Sequence, residues 1–245
     1  MIKEVYFSLF LGGIILSIQT AFGMRIRELR ARSGMSQEQL AYRAELDRSY
    51  ISGVECGSRN VSLINIEKIA KALNISIEYL FTNEKLSTNS AYLQQDFKIP
   101  FLKRFSYQLD KEQRILSFKV EGLLTSKDVD YMTATLASIS SSFKKGELSV
   151  FVDHREMKAA DGIPAVYSPE VADRAVIFQQ KVISCSKQVV VLCNSHFMVN
   201  QMDFVTQTSG IREKATHLYG KDRDMIGQAY QLLDIHGNEL IKAAK

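Results

Sequence analysis

The sequence predicts two unlike domains in one chain: an all-α unit of five short helices over residues 24–81, and an α/β unit with a mixed sheet over residues 100–238. Three observations predict it. In the first unit apolar residues recur three and four apart, and Ser36, Ser62 and Ser76 stand where helices would be capped. Beyond residue 100, two-residue alternation and short apolar runs take turns with helical periods. Between the two, residues 82–99 open on a polar stretch (82–95) with few large apolar side chains and read as a linker. A chain of 245 residues is long enough for both domains.

In the first unit, residues 25–32 form a basic helix, and Gly34 sits where a left-handed C-terminal cap falls. Ser36-Gln37-Glu38-Gln39 has capping-box spacing, so a second helix starts there with Leu40, Ala41 and Ala44 as its apolar stripe. The gap at Glu45-Leu46 is short enough for a tight inter-helix turn. Asp47 can cap a third helix anchored by Ile51 and Val54, while Ser52 and Gly53 keep its outer face slim. Arg48, Ser49 and Tyr50 stand at its exposed N-terminal end. A helix built this way can enter a DNA major groove, about 12 Å wide, and set an arginine against base edges. Ser62 can cap a fourth helix with Leu63, Ile66, Ile69, Ala70 and Leu73 on one face, and Ser76 a short fifth with Ile77 and Leu80.

These residues carry a resemblance. Ile26-Arg27-Glu28-Leu29-Arg30, Ser36-Gln37-Glu38-Gln39-Leu40-Ala41, Tyr50-Ile51-Ser52, Glu55-Cys56-Gly57 and Ile69-Ala70-Lys71-Ala72-Leu73 make residues 24–81 resemble the lambda-repressor-like (Xre-type) helix-turn-helix domain. The string from Leu46 to Glu55 is similar to that of the controller proteins of restriction-modification systems. The resemblance implies double-stranded DNA as partner and a role for each matching residue. Gln37 would donate to a phosphate and fix the docking register. Arg48, Ser49 and Ser52 would face the major groove, Arg48 as the bidentate reader of guanine O6 and N7. Tyr50, Arg59 and Asn60 would touch backbone phosphates, and Glu55 would brace the fold. Gly53 departs from family members with a long polar side chain there, which leaves one base contact unaccounted for. The competing reading of Arg48 is a solvated surface arginine.

Residues 24–81 hold nine Lys/Arg against seven Asp/Glu, a net of only +2, and four of the nine (Arg25, Arg27, Arg30, Arg32) lie in the first helix. One such unit would bind DNA weakly. Tight binding would need two copies on half-sites about one helical turn apart, so a homodimer is expected, with its pairing surface elsewhere in the chain.

The second unit begins with a hairpin over Phe105–Asp110 and residues 114–124, in which Leu116, Phe118 and Val120 alternate with Ser117, Lys119 and Glu121. A helix over residues 126–143 follows, with Val129, Met132, Leu136, Ile139 and Phe143 at helical spacing, then a buried strand over residues 148–152. Ser168-Pro169-Glu170 opens a helix to about residue 181. A strand over residues 188–193, a helix over about residues 198–208, a strand over residues 215–219 and a helix from Asp222 to about Leu233 complete the order ββαβαβαβα. With Val150-Phe151-Val152-Asp153-His154-Arg155 and the following Val189-Val190-Val191-Leu192 strand, this order resembles the STAS domain of anti-sigma-factor antagonists and the small stand-alone STAS-like proteins of bacteria. The resemblance implies a module that binds a protein partner or a small ligand and is not an enzyme. The connection where such antagonists carry a phosphorylatable serine contains only Ser168 and no Asp-Ser pair; a helix cap is the expected role.

Asp153, His154 and Arg155 stand at a strand's carboxyl end, where open α/β sheets place ligands. Three consecutive side chains on extended backbone cannot point one way, so a surface salt bridge with a stacked histidine is expected rather than a catalytic dyad. Cys193 and His196 have a Cys-x-x-His spacing without a second pair, and glycine-rich phosphate loops and nucleophile elbows are absent from the sequence. No metal or cofactor is expected. Cys56, Cys185 and Cys193 make no disulfide framework and fit a reducing cytoplasm, with Cys56 read as structural or as a redox influence beside the third helix.

Residues 5–22 are nearly all apolar. Export or a membrane anchor would carry the helix-turn-helix away from DNA or crowd its docking, so a membrane partner is not expected. A true start at Met24, an anchor and an extra buried helix are the three accounts, the first preferred. The functional expectation is a sequence-specific transcriptional regulator whose second domain dimerises or senses. The alternative is an interaction component of a signalling or defence complex, with the helix-turn-helix as a docking surface.

Overall fold

The structure, a computed structural model, describes residues 10–11, 14–15, 17–82, 99–159 and 162–243. Residues 83–98 of the expected linker, and residues 1–9, 12–13 and 16 of the apolar segment, lie outside the described residues. The chain divides into two compact units, Met1–Ser90 and Ala91–Lys245.

In the first, β1 (Phe10–Leu11) and β2 (Ile14–Ile15) pair antiparallel. Five helices follow: α1 (Ile18–Arg32), α2 (Gln37–Ala44), α3 (Arg48–Glu55), α4 (Leu63–Ala72) and α5 (Ile77–Leu80). The caps act as the sequence requires. Ser36, Ser62 and Ser76 accept from the backbone N–H groups of Gln39, Asn65 and Tyr79 at 3.1, 3.3 and 3.3 Å, and Gln39 accepts from the Ser36 N–H at 2.8 Å to close the capping box. Gly34 takes the left-handed conformation (φ 69°) after α1. Asp47 occupies the cap position of α3 but makes no side-chain cap hydrogen bond. Ile26, Leu29, Leu40, Ile51, Val54, Ile69, Leu73 and Leu80 are buried.

Two details differ from the sequence expectation. Leu63 is 83% exposed and Ile77 43% exposed, because each is the first residue of its helix and has no preceding turn to lie over; Tyr79 fills the core in place of Ile77. And α1 begins seven residues before the basic stretch, capped by Ser17, whose hydroxyl accepts from the Thr20 N–H at 3.2 Å. This early part of α1 lies against the end of α3. A Cβ on Gly23 would overlap the Val54 carbonyl oxygen and stand 3.0 Å from that of Glu55. Gly23→Ala is therefore expected to cost about 1–3 kcal/mol through forced separation of the two helices. Denaturant unfolding measures this; a change within about 0.5 kcal/mol would refute the close approach. Among the described residues no helix is long and apolar enough to cross a membrane.

In the second unit a 3-10 turn (Phe101–Lys103) leads into β3 (Phe105–Asp110) and β4 (Ile115–Val120). Then come α6 (Ser126–Ser140), β5 (Ser149–Asp153), α7 (Pro169–Phe178), β6 (Val189–Leu192), α8 (His196–Ser209), β7 (Ala215–Leu218) and α9 (Asp222–Leu233). The element order is ββαβαβαβα, and α7 continues as a π-helical turn through Ile183. The sheet order is β3-β4-β5-β6-β7, antiparallel between β3 and β4 and parallel thereafter. Three crossovers stepping in one direction carry α6, α7 and α8 to one face. Leu116, Phe118, Val150, Val152, Val189 and Val191 pack there with Val129, Met132, Ala175 and Met202. The alternate residues Ile115, Phe151, Val190 and Leu192 face α9 and the closing segment through Met225, Ala229, Leu233 and Ile241. Both faces are covered, so the middle of β5 (Val150, Phe151, Val152) and the whole of β6 read as unbroken apolar runs.

Candidate nucleic-acid interface

The first unit is fastened around Glu55, the last residue of α3, whose side chain is 3% exposed. Arg30 of α1 donates to both of its oxygens, Nε to Oε1 at 2.5 Å and Nη2 to Oε2 at 3.0 Å. Gln37, the first residue of α2, donates through Nε2 to Oε2 at 2.8 Å. Arg30 also donates through Nη1 to the Met35 carbonyl at 2.7 Å. One carboxylate thus joins three helices and fixes the angle at which α2 and α3 leave the core. The Gln37 amide keeps a second N–H for another acceptor.

On α3 the inner residues Ile51 and Val54 are buried, while Arg48 and Ser49 are exposed and Ser52 half-buried. Three- and four-residue spacing sets Arg48, Ser49 and Ser52 on one face. Arg48 makes no hydrogen bond or ion pair among the described residues. Tyr50 is half-buried; its hydroxyl accepts from Asn65 Nδ2 of α4 at 2.9 Å, and the Arg59 guanidinium carbon lies 5.9 Å from its ring centroid. Arg59 runs back over the helix at Gly53, where a Cβ would stand 2.8 Å from Arg59 Cγ and 3.2 Å from Nε. The space that a longer residue would take at position 53 therefore belongs to the Arg59 stem. Asn60 is exposed in the exit loop. The structure gathers Arg48, Ser49 and Ser52 on α3, packs Tyr50 with Arg59, and ties Gln37 to Glu55. The Asn65 tether and the Gly53–Arg59 pairing had no signal in local spacing, because each crosses a loop. Cys56, after α3, is exposed and unpaired with another cysteine.

In the second unit the structure corrects the reading of Asp153, His154 and Arg155. Asp153 is buried rather than part of a surface pair. Arg155 donates to it through Nε (2.9 Å) and Nη2 (2.7 Å), and also to Asp222 and to the Lys242 carbonyl (3.0 Å). The ion pair pins α9 and the closing segment to the end of β5. His154 points the other way, into the core among α6–α8, with its Nε2 3.5 Å from the Tyr167 hydroxyl and its Nδ1 without a hydrogen-bond partner among the described residues. Burial, reinforced by His217 and opposed by Asp153, lowers its pKa to about 4. The Cys193 thiol is buried and pushed up, chiefly by burial and then by Asp203, so it is no nucleophile. His196 instead stacks edge-on against Tyr219 at 4.6 Å. Among the described residues no group of three or more His, Cys, Asp or Glu could hold a metal ion. Ser168 caps α7, accepting from the Val171 N–H at 3.3 Å.

Residues 26–80 match the family described as helix-turn-helix. Over 60 residues the chain is 53% identical to the control protein C.BamHI of Bacillus amyloliquefaciens, spanning 24% of this chain and 74% of that protein. It is 43% identical over 67 residues to the control protein C.MunI of Mycoplasma sp, spanning 27% and 90%. Among solved structures it is similar to the restriction-modification controller protein C.AhdI from Aeromonas hydrophila, with 57% identity, 26% of this chain and 96% of that one covered, and a TM-score of 0.26.

Proposed function

Because the chain belongs, through residues 26–80, to the helix-turn-helix family of the control proteins, we propose that it is a sequence-specific DNA-binding transcriptional regulator working in the cytoplasm. In this reading α3 lies in the major groove, Arg48 reads a guanine, and Ser49 and Ser52 contact neighbouring base edges. Gln37, Tyr50, Arg59 and Asn60 hold phosphates on either side and fix the register. The observation that carries the reading is the exposed Arg48, free of internal partners among the described residues, on a helix whose inner face is buried and whose last residue is tied to two other helices. Such an arginine meets bases without breaking any internal contact. The second unit, STAS-like in its element order, serves dimerisation or sensing of a protein partner or small ligand and has no enzymatic role.

Operator titrations with Arg48→Ala and Arg59→Ala test this. Arg48→Ala is expected to lose about 1–3 kcal/mol of binding and to relax preference at one base pair. Arg59→Ala is expected to weaken binding about equally on all sequences and to lower the salt slope by about 1. Unchanged affinity and unchanged selectivity in Arg48→Ala would defeat the reading.

A further inference from the structure

Among the described residues β3 has a single strand neighbour, β4, and so forms an open edge of the sheet. Its six residues, Phe105–Asp110, include no proline, lysine or arginine, the residues that ordinarily blunt an edge. The other edge, β7, is four residues long and enters from a turn carrying Arg212 and Lys214. Beside β3 runs an apolar strip. The rings of Phe101 and Phe105 stack at 5.3 Å and those of Phe105 and Tyr107 at 5.6 Å, and Tyr131 meets Phe101 edge-on at 6.0 Å. Tyr107 is 47% exposed and Tyr131 44%, with Leu102 and Ile99 exposed beside them. An open edge whose single charged side chain, Asp110, stands at its far end, next to exposed aromatic rings, pairs readily with another strand.

We propose that β3 is the surface through which two copies of this chain pair, antiparallel about a two-fold axis, joining their sheets into one. The pairing with β4 sets Phe105, Tyr107 and Leu109 opposite Val120, Phe118 and Leu116, on the face that carries α6–α8; Ser106 and Gln108 lie on the other face. Residues opposed across two strands share a face, so a symmetric antiparallel pair must oppose odd-numbered residues to odd and even to even. Centring the axis on Tyr107 satisfies this over residues 105–109. Phe105 then meets the partner's Leu109, Ser106 meets the partner's Gln108, and the two Tyr107 side chains meet each other. Apolar faces apolar, polar faces polar, and residues 105–109 bring no charges together. This self-complementarity identifies the occupant as a second copy. The choice also rests on the regulator reading, in which an N-terminal unit of net charge +2 needs a second on the same operator.

Sedimentation equilibrium of the full chain, without DNA, tests the pairing against Tyr107→Lys, which would oppose two ammonium groups on the axis. The native chain is expected to be a dimer, and the variant's dissociation constant to rise at least about tenfold with its circular dichroism unchanged. A Tyr107→Cys chain under mild oxidation is expected to form a disulfide joining the two substituted positions, identified by peptide mapping. This second arm decides the matter should Tyr107→Lys misfold. A monomeric native chain overturns the proposal, and so does a dimer with neither the Tyr107→Lys effect nor the cross-link. A chain that dimerises through β3 but ignores all duplexes supports the pairing while defeating the regulator reading. Operator binding by a chain paired through another surface does the reverse.

Discussion

Glu55→Ala is expected to lower the stability of the N-terminal unit by about 3 kcal/mol, the low end of what removing one partner from a buried ion pair costs. The Glu55 side chain is 3% exposed and that of Arg30 14%, so deletion leaves a guanidinium mostly out of water with its charge unanswered. Gln37 loses its acceptor at the same time, and with it the tie that orients the start of α2. For a helical unit of this size the loss is a large part of the total, and the melting midpoint should fall by upward of about 12 °C. Arg30→Ala made together with Glu55→Ala should cost less than the two separate losses added, because the double variant strands no charge. Urea unfolding of the four chains gives the coupling. A loss below about 1 kcal/mol for Glu55→Ala, or strict additivity, would show that the three helices are held by packing alone. Operator binding by folded Glu55→Ala should also weaken, since Gln37 and α3 no longer share a fixed frame.

The contrast between what was legible and what was not follows from range. Caps are local, so Ser36, Ser62, Ser76 and Ser168 marked their helices correctly. Alternation is local too, and placed Leu116, Phe118 and Val120 on one face of β4. It also separated His154 from Asp153 and Arg155, which turn toward opposite sides of the sheet; what alternation could not supply was depth, hence the mistaken surface pair. The start of α1 was hidden because residues 18–22 belong to the largely apolar stretch set apart from the basic first helix. Gly23 stays within the helix because only a residue without a side chain lets α3 come so close. Leu63 keeps the period of its helix yet stands in solvent, since period gives a direction and not a neighbour. The Arg30–Glu55 pair spans 25 residues and Tyr50–Asn65 spans 15, distances at which no spacing rule operates. In the candidate interface, then, the exposed face of α3 was local and legible, whereas the contacts that fix the helix against α1 and α2 were not.

The second unit should lose stability on mild acidification, by about 3 kcal/mol between pH 6.5 and pH 4, because of His154. In the folded chain its pKa is about 4, chiefly through burial, against the ordinary 6.5. Across that window the unfolded chain takes up a proton that the folded chain refuses, so each step down in pH favours unfolding. Stability is full above about pH 6.5 and the loss levels off below about pH 4. Asp203 does not mimic this. Burial raises its pKa, but the His217 hydrogen bond and the charges of His217 and Arg212 outweigh burial and leave it below the ordinary carboxylate value of 3.8. Its contribution is therefore lost only at lower pH. His154→Gln stays uncharged throughout and should flatten the slope between pH 6.5 and 4, whatever it costs at pH 7. Urea unfolding of both chains at half-unit steps measures the difference. An unaltered slope in His154→Gln would mean that the imidazole finds water or a counter-charge on protonation, and that the interior beside Tyr167 opens at little cost. A flattened slope would mean that the space between the sheet and α6–α8 stays dry down to pH 4, and that the neutral ring is a condition of the fold.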